Sequence, residues 1–118
     1  MKTWGPGPFD NNYAEYESAS ALEKVVEDVA YWHRKIGKHV DDRPVGEWPP
    51  LSWYQMARAD IAILLMAAQA GAWVNTDWHP AMVLTADMVK HPGFSDEARE
   101  LLLQERSAVA KLRKAARD

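Results

Sequence analysis

The chain has 118 residues, 47% of them apolar and 26% charged, the proportions of a globular domain with room for one hydrophobic core. It contains no cysteine, which excludes disulfides, thiolate chemistry and sulfur-built zinc sites. A net charge of -3 argues against a nucleic-acid binder and is too small for a nucleic-acid mimic.

The chain begins Met-Lys-Thr-Trp-Gly-Pro-Gly-Pro-Phe-Asp-Asn-Asn. Glycines interleaved with prolines cannot continue a helix or an interior strand. Trp4 and Phe9 bracket them, so residues 1–12 read as a stiff, irregular arm with its rings pinned into the body of the protein. These residues resemble a bacterial and phage family, domain of unknown function 4259, which opens M-G-x-W-G-x-G-x-F-x-N-D. Trp4, Gly5, Gly7, Phe9 and Asn11 match in register; Lys2 and Asn12 depart from the pattern. The likeness covers about the first 20 residues. It implies a helical domain and brings no catalytic residue with it.

A first helix is predicted over 13–36, with Asn12 as cap and Glu15 completing a capping box. Leu22, Val25, Val29, Trp32 and Ile36 form its apolar stripe, and Gly37 is the expected stop. Residues 38–50 read as a loop, broken by Asp41-Asp42-Arg43-Pro44 and Trp48-Pro49-Pro50. A second helix is predicted over 52–72, capped by Ser52 with Gln55. It is apolar all round from Ile61, which predicts the most buried element. Its longest apolar run, Ile61 to Val74, is 14 residues, too short to span a bilayer.

A third, short helix is predicted over 80–90, opened by Pro80 and closed by His91-Pro92-Gly93. Its expected inner face is Met82, Val83, Ala86 and Val89. The fourth, over 95–117, is capped by Ser95. Its stripe is Ala98, Leu101, Leu102, Val109, Leu112 and Ala116. The sum is one all-α domain over 1–118, an antiparallel bundle of about four helices carrying the arm. Acids crowd Asp10 to Asp28 and bases crowd Arg106 to Arg117, so the first helix's start is expected beside the fourth helix's end.

Chemistry is sparsely signalled. His33, His39, His79 and His91 form no metal-ligand spacing; a metal site would need His33 or His79 beside Asp60 or Asp77. Glu23, Glu27 and Asp28 on the first helix, with Asp60 on the second, faintly echo helical magnesium hydrolases, with the wrong spacing and Ala57 where an acid belongs. Arg58 and Asp60 stand at the rim of the apolar helix and need partners. Of the six tryptophans, Trp48 and Trp78 sit beside polar and proline residues in loops, where an exposed indole favours binding.

The sequence therefore reads as a protein that binds another macromolecule, a protein above all, in an immunity, anti-defence or regulatory role. Trp48, Trp78, Arg43 and Glu47 are the expected binding edge. No cofactor, catalytic residue or metal is called for, and neither a membrane nor nucleic acid is the expected partner. The alternatives are a small metal-dependent hydrolase using Glu23, Glu27 and Asp60, and a structural homo-oligomer seated on a stripe of the first or fourth helix. With no basic-then-apolar leader at the start, the cytoplasm is the expected compartment.

Overall fold

A computed structural model describes the backbone of residues 12–42, 46–72, 74 and 76–117, and the side chains of 21–41, 46–72, 74 and 76–116. The helices are α1 (Asn12–Asp42), α2 (Leu51–Gln69), α3 (His79–Lys90) and α4 (Asp96–Arg117). No strand occurs among the described residues. Residues 1–11, Arg43 and Trp73 lie outside the described residues, and with them the expected seating of Trp4 and Phe9.

Helix α1 runs through Gly37 to Asp42, six residues beyond the expected end at Ile36. A glycine inside a helix costs about 1 kcal/mol against alanine. Tertiary contacts offset that cost. The Lys35 ammonium lies 4.5 Å from the Trp53 ring centroid, and the His39 ring meets the same indole edge-on at 5.3 Å. The last turns of α1 are thus fastened to the first turn of α2.

The cap of α2 also differs from expectation. Pro50 is the N-cap and makes no side-chain cap bond, so Ser52 lies within the first turn. At the other end the helix stops at Gln69. Gly71 takes φ +87°, and the N–H groups of Gly71 and Ala72 donate to Ala68 and Ala67. That pair is a Schellman closure, which requires the left-handed conformation glycine supplies. Ser95 caps α4 as its sequence indicates: its Oγ accepts from Ala98 N–H at 3.2 Å.

Contacts set the directions. Asp60 meets Asp28 and Trp32 while Trp53 meets Lys35 and His39, so α1 and α2 are antiparallel. Met82 lies beside Ala110 and Lys114, while the His91 and Phe94 rings meet at the connecting turn, so α3 and α4 are antiparallel. These two helical hairpins stack with α1 along α3 and α2 along α4. Both stacked pairs are parallel: His33 faces His79 while Val40 lies near Asp87, and Arg58 pairs with Glu105 while Leu65 lies near Leu112.

Helices α1 and α4 are therefore diagonal. Their acidic and basic ends share one end of the bundle, but the two backbones do not come within neighbouring distance among the described residues. Stacking the hairpins sets α3, not α4, beside α1; the side chains of Asp10, Glu15 and Glu17, which the expected pairing involves, lie outside the described residues.

The core contains Leu22, Val29, Trp32 and Ile36 of α1, as the stripe predicts, with Tyr54, Ile61, Leu64, Leu84, Met88, Leu102 and Val109. The inner face of α3 is shifted by one residue. Ala81, Leu84, Thr85 and Met88 are buried, while Met82, Val83, Ala86 and Val89 are half-buried. Thr85 hid this register because it reads as polar. Its hydroxyl donates to the Ala81 carbonyl at 2.7 Å and so enters the core satisfied.

Candidate interaction surface

A helix that is apolar all round must bury every face or leave one to a partner. In a two-layer stack of four helices each member keeps an outward side. For α2 that side is Met56, Ala59, Ile63, Met66 and Ala70, spaced 3, 4, 3 and 4, and all of them are exposed. Met56 keeps 56% of its surface, Ile63 45% and Met66 68%. The apolar run from Ile61 predicts the most buried element, yet Ile63 and Met66 of that run face outward.

The only charged residues of α2 are Arg58 and Asp60, and both turn sideways. Arg58 forks onto Glu105 of α4, with Nη2–Oε2 at 2.9 Å and Nε–Oε1 at 3.1 Å. Its guanidinium carbon also lies 5.9 Å from the Phe94 ring centroid. Asp60 points toward α1, where the Trp32 indole N–H donates to it. Its carboxyl sits above the usual range, first because burial strips its water and second because Asp28 is close by; the Trp32 bond offsets part of this. With both charges turned aside, the outward stripe is uncharged from Met56 to Ala70.

Two recesses flank the stripe. On the α4 side an open groove of about 630 Å³ is lined by Leu65, Ala68, Leu103, Ala108 and Leu112, with Gln69, Gln104, Ser107 and Lys111 as polar edges. On the α1 side a smaller hollow of about 330 Å³ holds Tyr31, Met56 and Ala59 beside Asp28 and Asp60. Tyr31, Leu101 and Leu103 remain about half exposed and widen the apolar surface.

The far end of α2 is held by a histidine hub. The buried His91 ring accepts from Gly93 N–H at Nδ1, 2.9 Å. Nε2 must then carry the proton, and it donates to the Pro49 carbonyl at 3.0 Å. Trp48, Tyr54 and Phe94 surround the ring with centroids 5.1, 5.2 and 5.9 Å away. The chain passes so close that a Cβ on Gly93 would stand 3.0 Å from Leu51 and 3.1 Å from the His91 ring. Beside the hub, the buried Tyr54 hydroxyl donates to Asp87. Desolvation, then the neighbouring Asp87 charge, raise the phenol; desolvation also raises Asp87, against the opposing pull of Lys90, His33 and Tyr54.

The sequence-named edge is not one surface. Trp78 is core, only 4% exposed, so the expectation of an exposed indole there is corrected: the turn before α3 folds it inward. Trp48 is 38% exposed and lies on His91 as part of the hub. Glu47 is exposed next to it.

Of the acids that echo a magnesium hydrolase, the structure brings together Asp28 and Asp60. Glu23 and Glu27 are exposed. His33 and His79 do meet, edge-on at 6.0 Å, yet no cluster of three or more histidine and carboxylate groups suited to a metal occurs among the described residues. Nor is any described helix long and apolar enough to cross a membrane.

Sequence reasoning overlooked the outward stripe because burial was inferred from hydrophobicity alone. The signal that could have exposed it is the five-residue stripe repeating at helical spacing on a second side of a helix with only three companions. No family model matches this chain, and comparison with curated proteins and with solved structures gives no match either.

Proposed function

We propose that this chain is a helical interaction protein that binds another protein on the outward side of α2 and the groove beside it. One observation carries the reading: both charges of α2 are engaged sideways, while Met56, Ala59, Ile63 and Met66 face water. Surface leucines scattered singly mean little, but a contiguous apolar patch on a monomer marks a binding site. Methionines suit that task, since their flexible thioethers adapt to the surface they meet. An immunity, anti-defence or regulatory role, in the cytoplasm, belongs to the same proposal. The N-terminal likeness to family 4259 adds a proposed kinship and no catalytic group.

The test uses the tagged chain as bait in lysate of its native cell, with Ile63→Asp and Met66→Asp as controls. These positions are exposed, so melting temperatures should stay within about 2 °C of the parent. A protein recovered by the parent and lost by both variants supports the proposal. A partner held equally by all three moves the binding site away from α2 and refutes it.

A further inference from the structure

We propose that the α2 face receives a basic amphipathic helix of a partner protein, with one arginine or lysine of that helix entering the hollow between Asp28 and Asp60. The proposal rests on the reading of that face as a binding surface and names the chemistry of its occupant.

Charge complementarity identifies the occupant. Asp28 of α1 and Asp60 of α2 are both half-buried and stand close enough to repel. The described ion pairs join Arg58 to Glu105 and Arg99 to Asp96, so neither carboxylate has a cation partner among the described residues. Lys35, about two turns along α1 from Asp28, is drawn onto the Trp53 ring instead. The Trp32 indole holds Asp60 without neutralising it. Two like charges kept together away from water cost stability until a cation arrives, and such a costly pair marks a binding feature.

The walls of the hollow suit a long cationic side chain. Met56 and Ala59 offer apolar surface to its stem, and Tyr31 and Trp32 offer aromatic rings to its charged head. A guanidinium fork can reach both carboxylates at once. Anionic lipid headgroups and nucleic acid would meet the same two carboxylates with like charge.

Position gives the occupant its shape. On α2 the hollow is lined by Met56, Ala59 and Asp60, and the groove by Leu65, Ala68 and Gln69, each nine residues further on. Nine residues end half a turn out of phase, so the two recesses lie on opposite flanks of the outward stripe, about 13 Å apart along the axis. An occupant that fills both crosses α2 diagonally over Ile63 and Met66, a span of about 17 Å across a helix about 10 Å wide. A helix covers that span in about three turns, or eleven residues, and returns to the same face. The partner helix therefore carries its cation at one end of an apolar row and a large apolar side chain about eleven residues away, for the groove.

A displayed library of helix-forming peptides of about 18 residues, five turns, supplies the probes. It is selected on the full chain and counter-selected on the double variant Ile63→Asp with Met66→Asp. Fluorescence anisotropy of labelled synthetic copies then measures affinity. The enriched peptides should share an apolar row with an arginine or lysine at one end. Asp28→Asn with Asp60→Asn should weaken them by about 30-fold or more, with a melting temperature at or above the parent's. Glutamine in place of the peptide's cation should cost the parent a similar factor and the asparagine variant little, which reports direct pairing. Leu103→Asp, at the exposed rim of the groove, should weaken the same peptides.

Enriched peptides that lack a cation, that bind the asparagine variant as tightly as the parent, or that ignore Leu103→Asp overturn the proposal and leave the α2 face as a binding surface. Enrichment of nothing that depends on Ile63 and Met66 removes that reading as well. If sedimentation equilibrium finds the parent at twice its 13.4 kDa mass and the Ile63→Asp, Met66→Asp variant at the single mass, a second copy occupies the face and the proposal fails. It fails too if phosphatidylcholine vesicles retain the parent and release that variant.

Discussion

Replacing His91 isolates what the hub contributes, because three substitutions each keep a different part of it. Phenylalanine preserves the ring among Trp48, Tyr54 and Phe94 and removes both polar bonds. The Pro49 carbonyl lies in a buried residue, so losing the His91 donor costs it the desolvation penalty, about 1–3 kcal/mol. Gly93 is exposed and its N–H can turn to water, so that loss is about 0.5 kcal/mol or less. His91→Phe should therefore destabilise by about 2 kcal/mol, close to 8 °C in a domain of this size. Glutamine places an amide N–H where Nε2 stood and keeps the Pro49 bond; asparagine places an oxygen where Nδ1 stood and keeps only the Gly93 bond. Because the buried carbonyl dominates, His91→Gln should lose less than His91→Asn by about 1 kcal/mol or more. Urea unfolding followed by tryptophan fluorescence measures all three, with an unchanged slope confirming two-state behaviour. If asparagine matches or exceeds glutamine, or if phenylalanine is neutral, the assignment of donor and acceptor in the hub is wrong.

Three further outcomes follow from other parts of the fold. Gly37→Ala should raise stability by about 0.5–1 kcal/mol in the same assay, since Gly37 is helical and a Cβ there meets no atom within 4 Å; a loss would mean the α1–α3 side is tighter than described. A double-mutant cycle on Arg58→Ala and Glu105→Ala should give about 1–1.5 kcal/mol of coupling, above an exposed pair because these side chains are only 25% and 21% exposed and the contact is a two-point fork; coupling below about 0.3 kcal/mol would dismiss it as a surface pair. Asp60→Asn should raise the melting temperature at pH 7. Its folded carboxyl is held above the ordinary 3.8, so ionisation costs stability as pH rises through the folded value. The gain should shrink as pH falls and vanish below 3.8, where parent and variant are both neutral; a gain independent of pH would contradict this origin.

Helix existence was legible in the sequence because α1 and α4 carry strong single stripes, and Ser95 sits where a cap belongs. Boundaries were less so. Gly37 looked like a stop, and nothing local reveals that Lys35 and His39 clamp Trp53 from across the turn. Thr85 looked like surface, and its burial depends on a bond to a carbonyl one turn back. The candidate surface was least legible. Loop tryptophans drew attention to Trp48 and Trp78, but a large ring beside proline is equally suited to sealing a turn, and Trp78 does so. The α2 face went unnoticed because composition tells how apolar a helix is, not how many neighbours surround it. Counting the helices available to cover it would have pointed there.

The stacking of two hairpins bears on how the chain acquires its shape. Within each hairpin the contacts begin at the connecting turn and spread outward, so each can zip up from a local start. Bonds such as Arg58 to Glu105 and His91 to Pro49 span more than forty residues and cannot form until both halves exist. Assembly then divides into two quick local closures and one slower docking step. Substitutions at Arg58 or His91 should leave the early closures untouched and act on that final docking.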